Sequence, residues 1–233
     1  MGFPRPTGFE KPDSFVALLE LQHPKGLYYG PLWPSEETFL MPGPLYHFLA
    51  EDHTRLDGLL QRAVTDTGSI DHAPYTEFRT GLLKHISMEE KILLPAAQRL
   101  RGGEPLPIAA MLRRHHSALA ALLVPTPTLS IIAALRTILA THNELEEGHE
   151  GVYACCEELA GREAEVLLAQ LKAAPEVPVA PHADGPDVIA TVRRTLARAG
   201  FEAALVDEWP EGRPSWEKAA GHREREQRCD GDR

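Results

Sequence analysis

The feature that most constrains this chain is a pattern H-x-x-x-E that occurs in two separate segments with helical spacing. His85 and Glu89 form the first copy, and His142 and Glu146 form the second. Residues four apart lie on the same side of a helix, so each pair faces in one direction. In the first copy the stripe also carries Met88, so the pair points toward an apolar side. Burial of such a pair calls for a partner, and a metal ion is one candidate. The alternative is a pair that is solvated or hydrogen-bonded to itself at the edge of the stripe.

Four long segments with helical periodicity predict an all-α protein, an up-and-down antiparallel four-helix bundle with short loops. The first segment carries leucines on one face and is stopped by Gly68. The second runs from about Pro74 to Leu100, the third covers residues 107–123, and the fourth begins near Leu129.

The first and third helical segments, which lack the H-x-x-x-E pattern, each offer one inward histidine. His53 and His116 are both followed by leucines at offsets 3, 6 and 7. Imidazole nitrogen with carboxylate oxygen suits iron, manganese or zinc, and the absence of cysteine from the set argues against a structural zinc site. Two carboxylates among four histidines suit a pair of metals bridged by the glutamates. The predicted metal-binding set is His53, His85, Glu89, His116, His142 and Glu146.

Four motifs in order, EDHTRL, HISMEEKILLP, RHHSAL and HNELEEG, resemble the hemerythrin-like (HHE cation-binding) domains over about residues 43 to 160. The resemblance implies a four-helix bundle that encloses a non-heme di-iron centre, with the four histidines as ligands and Glu89 and Glu146 as bridges. The pattern is more similar to the bacterial iron-repair and nitric-oxide-responsive branch than to the oxygen carriers, which take a further histidine. One departure is that Gly148 and Gly151 follow the last motif without a proline, which predicts a loosened or kinked fourth helix.

Three residues near the predicted ligands have competing interpretations. His115 is rotated about 100° from its neighbour, and the leucine register selects His116 as the ligand. His47 is expected on the surface. Asp57 lies four residues after His53 and is expected to be a solvated edge residue, with ligation or contact with a ligand as alternatives.

Two residues extend the stripe of the last motif. His149 lies nearly two turns after His142 and is expected beside the ligands or in a cavity, with direct ligation as the alternative. Tyr153 continues this stripe and is expected to be a core aromatic; the alternative is a donor to a bound gas or oxo group.

Composition and charge predict the flanks, location and partners. Residues 1–42 form a proline-rich lead-in, 43–174 the bundle, and 175–233 a linker, a small helix and strand appendage, and a disordered charged tail. The formal charge of −10 disfavours nucleic acid and anionic membranes as partners. No signal peptide or apolar span of membrane length is evident, and Cys155, Cys156 and Cys229 form no disulfide framework, so a cytoplasmic location is predicted.

The sequence therefore predicts a di-iron protein that binds or senses O2 or NO, or handles iron. Two alternatives stay open. One is an enzyme that uses the same ligands for peroxide or NO reduction or for iron-cluster repair, and the other is a metal-free interaction bundle. Protein partners are not indicated.

Overall fold

The computed structural model describes residues 43–206, and this part of the chain is helical. Its strand content is limited to an isolated bridge between Val64 and Ile70, so the predicted all-α class is confirmed for the described residues. The helices are α1 (Pro44–Arg62), α2 (His72–Met88), α3 (Leu94–Leu100), α4 (Ala109–Leu122), α5 (Leu129–Glu147), α6 (Val152–Ala160), α7 (Ala164–Lys172) and α8 (Pro186–Ala199). A π-helical turn, Glu89–Leu93, joins α2 to α3, and short 3-10 turns cover Gly161–Glu163 and Ala203–Val206. The predicted lead-in 1–42, Cys229 and the predicted charged tail lie outside the described residues.

Helices α2 and α5 begin where the sequence supplies a side-chain cap. The Asp71 carboxylate accepts a hydrogen bond from the Ala73 N–H at the start of α2, and the Thr128 hydroxyl accepts one from the Ile131 N–H at the start of α5. These bonds satisfy N–H groups that have no partner within the helix. Gly68 adopts a positive φ of 75° in the turn between α1 and α2, a conformation that favours glycine.

Two apolar clusters fill the interior, and each of four helices passes from one to the other. The distal cluster includes Leu56 of α1, Leu82 of α2, Leu119 of α4 and Ile138 of α5. The proximal cluster includes Leu49, Met88 and Leu112 of α1, α2 and α4, with Leu145 of α5 packed against it. The helices cross between the clusters at His53, His85, His116 and His142, which together make a polar layer.

The segment after α7 returns to the distal cluster. Val192 and Leu196 of α8 are buried there, with Val206 from the 3-10 turn. The preceding linker is held by a hydrogen bond from the Ala183 N–H to the Val124 carbonyl. The sequence predicted a short strand in the appendage after α8. For residues 203–206 this prediction is wrong, because they form the 3-10 turn. Strands need a neighbour to pair with, and the described part of the chain offers none here.

Among the described residues, no helix combines the length and the apolar character needed to cross a membrane.

Candidate metal centre

The polar layer brings the six predicted residues together, and each is at most 5% exposed. They form two groups whose ligand atoms all lie within 4.8 Å of one another. The first group is His53, His85, Glu89 and Glu146; the second is Glu89, His116, His142 and Glu146. Both glutamates belong to both groups, so the layer offers two adjacent metal positions with shared carboxylates.

The glutamate oxygens lie between histidines of the two groups. Glu89 turns Oε1 to within 3.3 Å of His85 Nε2 and Oε2 to within 3.1 Å of His116 Nε2. Glu146 Oε2 lies 3.2 Å from His142 Nε2 and 3.5 Å from His53 Nε2. Each carboxylate therefore faces one histidine of each group.

A second set of carboxylates contacts three of the imidazoles at Nδ1, the ring nitrogen that does not face Glu89 or Glu146. Asp52 lies 2.9 Å from Nδ1 of His85, and Glu90 lies 2.7 Å from Nδ1 of His116. Glu147 lies 2.5 Å from Nδ1 of His53. An imidazole that donates its Nδ1–H in this way presents the Nε2 lone pair on its other side, the arrangement found around metal-binding histidines. The Nδ1 of His142 is buried without a hydrogen-bond partner among the described residues.

The donor set fits a cation. With Nδ1–H donated to a carboxylate, the Nε2 lone pairs of His53, His85 and His116 face glutamate oxygens at 3.1–3.5 Å. Lone pairs that face one another at this distance require a proton or a cation between them. Imidazole and carboxylate are ligands of first-row transition metals, and the described layer contains no thiol.

The metal-free layer retains protons that a cation would replace. Burial alone would lower the pKa of His85, but the charges of Glu89 and Asp52 raise it to about 9. Burial and the charge of Glu89 raise the pKa of Glu146 well above its ordinary value. Burial also acts to raise the pKa of Glu89, but His85 and His116 bring it well below its usual range. At neutral pH His85 is therefore protonated without metal, and metal binding would release this proton.

The π-helical turn positions two adjacent glutamates. The Leu94 N–H bonds to the Glu89 carbonyl five residues back, and Pro95, which has no N–H, follows immediately. Glu89 points into the layer while Glu90 reaches the outer nitrogen of His116. Single π-turns inside α-helices often occur at functional sites.

The predicted irregularity of the fourth helix is confirmed. Helix α5 ends at Glu147, and α6 begins after a turn closed by a hydrogen bond of 2.7 Å from the Gly151 N–H to the Gly148 carbonyl. A Cβ on Gly151 would lie 2.4 Å from the Glu146 carbonyl oxygen, so a larger residue does not fit. His149 is exposed in this turn. Its predicted place beside the ligands is wrong, because the stripe that carries His142 ends before His149.

The same turn brings the Tyr153 hydroxyl into the layer. This oxygen lies 2.6 Å from Glu89 Oε1, 3.0 Å from Glu146 Oε2, 3.1 Å from His53 Nε2 and 3.2 Å from His85 Nε2. The ring is fully buried in the proximal cluster, as expected for a core aromatic. The contacts of the hydroxyl with four of the candidate ligands were not predicted.

The other residues near the motifs lie outside both groups. His115 is buried, and its ring centroid lies 5.8 Å from that of His142 and 5.1 Å from that of Phe201. Asp57 is exposed, as expected, and accepts a hydrogen bond from Gln61. His47 is also exposed, in agreement with the prediction.

Cys155 and Cys156 are free thiols and belong to neither group. Burial raises the pKa of both, which favours the neutral thiol over the reactive thiolate.

Residues 45–154 match a family model described as the Hemerythrin HHE cation binding domain. This range contains both candidate metal positions and Tyr153. No curated protein and no solved structure matches the chain.

Proposed function

Because residues 45–154 belong to the hemerythrin HHE cation-binding domain family, we propose that this chain holds two non-heme iron ions and uses them to bind O2 or NO, or to handle iron. The observation that carries the proposal is the pair of four-residue groups that share two buried glutamates. Glu89 and Glu146 serve as bridges in this proposal. The terminal ligands are His53, His85, His116 and His142.

The proposed scaffold is an up-and-down antiparallel bundle with four members. These members are α1, α2 together with α3, α4, and α5 together with α6. Its support is the order in which these helices meet the two clusters. Helix α1 runs from the proximal to the distal cluster, α2 runs back, and α4 and α5 repeat the alternation.

Iron is the proposed metal because imidazole and carboxylate donors suit it and because the matched family is a cation-binding one. We place the protein in the cytoplasm. The free thiols of Cys155 and Cys156 support this location, since reducing compartments keep thiols unpaired.

The chain's own side chains orient and shield the site. Asp52, Glu90 and Glu147 hold three imidazoles with Nε2 directed inward. The leucines on both sides of the layer limit the access of bulk water. A reduced iron pair supplies electrons and open coordination positions to a small molecule. Four protein donors in each group leave such positions.

Iron content tests the proposal. Protein from iron-replete cells should hold about two irons per chain, one for each group. The Glu146→Gln variant should lose iron because both positions use this carboxylate. Asp57→Asn, which changes an exposed carboxylate four residues from His53, is the control and should keep it. Wild-type protein with well under one iron per chain after anaerobic reconstitution contradicts the proposal and leaves the metal-free interaction bundle.

The small-molecule role is tested separately. The reduced iron form should change its absorption spectrum on addition of O2, NO or peroxide. If none of the three produces a change, the gas-binding part fails and iron handling remains. Multiple turnovers with an added reductant would identify an enzyme instead of a binding protein.

A further inference from the structure

The Tyr153 hydroxyl is placed as a metal ligand would be, and it lies on one side of the layer. We propose that Tyr153 binds the iron of the first group, that of His53, His85, Glu89 and Glu146, through its phenolate oxygen. This inference rests on the proposed iron function and makes the two metal positions chemically different.

The distances around the oxygen are those of neighbouring ligands. In an octahedral site with metal–ligand bonds of about 2.1 Å, adjacent donor atoms lie about 3 Å apart, and each has four such neighbours. The Tyr153 oxygen has four neighbours in the first group, at 2.6, 3.0, 3.1 and 3.2 Å. These neighbours are the four residues of the first group.

Hydrogen bonding alone does not account for all four contacts, even though protonated His85 can donate to the phenol oxygen. A phenol has one proton, so it can donate to one partner, and Glu89 Oε1 at 2.6 Å is the nearest. Glu146 is also an acceptor when ionised. His53 donates through Nδ1 to Glu147, which leaves a lone pair on the Nε2 that faces the phenol. A metal ion satisfies all of these electron pairs at once.

The chain holds the hydroxyl firmly in this place. The glycine turn before α6 sets the start of the helix, and Tyr153 follows it by two residues. The ring is fully buried, and the Tyr46 ring packs edge-on against it with centroids 6.1 Å apart. The position of the oxygen is therefore fixed by backbone and packing as well as by its polar contacts.

The binding step exchanges a proton for a metal. The O–H bond of Tyr153 breaks, an oxygen–iron bond forms, and the proton leaves to solvent without a change of oxidation state. The second position, with His116 and His142, receives no such oxygen, since the two imidazoles that contact the Tyr153 hydroxyl are His53 and His85 of the first group. With Tyr153 the first position has five protein donors and the second has four. In this proposal small molecules therefore bind at the second position, which has more open coordination positions.

Resonance Raman and visible absorption spectroscopy of the ferric protein test the proposal. Wild-type protein should show a visible phenolate-to-iron charge-transfer band and enhanced tyrosinate ring vibrations. Tyr153→Phe should lose both signals and keep its iron, because the histidines and glutamates remain. Tyr75→Phe is a matched control, since Tyr75 is equally buried and its hydroxyl has no hydrogen-bond partner among the described residues. This control should retain both signals.

The outcomes separate this inference from the proposed function. Protein that takes up about two irons, one for each group, but shows no tyrosinate vibrations overturns the inference and leaves the iron function intact. Protein that takes up no iron overturns both. The wild-type spectrum decides the question even if Tyr153→Phe fails to fold. Addition of NO to the reduced protein, followed by reoxidation, should leave the tyrosinate vibrations in place; their loss would contradict ligand binding at the second position.

Discussion

Three imidazoles in the polar layer are held by a carboxylate on Nδ1, whereas His142 is not. Burial lowers the pKa of His142 well below its ordinary value, and its Nδ1 has no hydrogen-bond partner within residues 43–206. A buried polar atom left unpaired costs about 1–3 kcal/mol, which the structure must recover elsewhere. His142 is therefore the least firmly oriented of the four histidines, and it belongs to the position at which we propose that small molecules bind.

Helical spacing predicted the six candidate residues of the layer because they lie on inward stripes. It did not predict Asp52, Glu90 and Glu147. Each of these is the sequence neighbour of one of the six residues. A residue next to an inward one is rotated by about 100° and is expected at the helix surface. Its contact with an imidazole on another helix depends on helix packing, which the sequence pattern does not reveal. The doubled glutamates at 89–90 and 146–147 were the available signal.

The adjacent histidines of α4 provide a matched pair for a prediction at this scale. His116→Ala should reduce iron to about one per chain or less, because it removes a donor of the second group. His115→Ala should keep about two, since His115 belongs to neither group. Both side chains are 3% exposed, so the cavities are comparable. Metal analysis with circular dichroism gives the answer. If His115→Ala lost iron and His116→Ala did not, the ligand would be His115 instead of His116.

Two irregular turns shape the site at the scale of secondary structure, and only one was predictable. Glycines at 148 and 151 indicated a break in the fourth helix, and the break is present. For the π-turn at 89–93 the sequence signal is Pro95. It is weaker than the glycine signal, because proline within a helix is also compatible with a simple kink. The break had a further effect that periodicity could not show. It removes His149 from the inner stripe and brings in the Tyr153 hydroxyl.

Gly151→Ala tests how far the site depends on this turn. The added Cβ would lie 2.4 Å from the Glu146 carbonyl, and backbone cannot yield as a flexible side chain does. We expect a loss of about 1–3 kcal/mol in the free energy of unfolding. We also expect a lower iron content, since the displaced backbone segment carries Glu146. Urea denaturation and metal analysis measure both.

Gly58→Ala is the control for this substitution. A Cβ at Gly58, within α1, would meet only the Arg62 Nη1 atom at 3.5 Å. It should stabilise the protein by up to about 1 kcal/mol, because alanine is the better helix former. Unchanged stability and iron content in Gly151→Ala would show that the turn adapts without disturbing Glu146.

At the scale of the whole molecule, the leucine stripes predicted the long helices, but not the packing of α8. Val192 and Leu196 complete the distal cluster, although a proline-rich linker separates them from the bundle in sequence. Composition identifies a linker, yet it cannot show that α8 packs against α4 as it does in the structure. The division into a bundle at 43–174 and an appendage at 175–233 stays a prediction.

Removal of iron should lower stability without abolishing the fold. A ligand that binds only the native state adds about 2.7 kcal/mol when its free concentration is about 100-fold above Kd, which is roughly 5–10 °C in Tm for a chain of this size. The leucine clusters do not depend on the metal, so helical circular dichroism should persist after chelation. Thermal melts with and without iron measure the difference, and Glu146→Gln should show a smaller one. Loss of helix on chelation would contradict this expectation.

The position of the polar layer also bears on how the protein opens. Each apolar cluster excludes water by its own side chains, so in the metal-free chain the two can form separate cooperative units with their own rates of amide hydrogen exchange. Bound ions would join these units, because the bridging glutamates and the histidines come from helices that enter both clusters. Opening of either end would then break metal–ligand bonds at the middle, and backbone amides at both ends would exchange together.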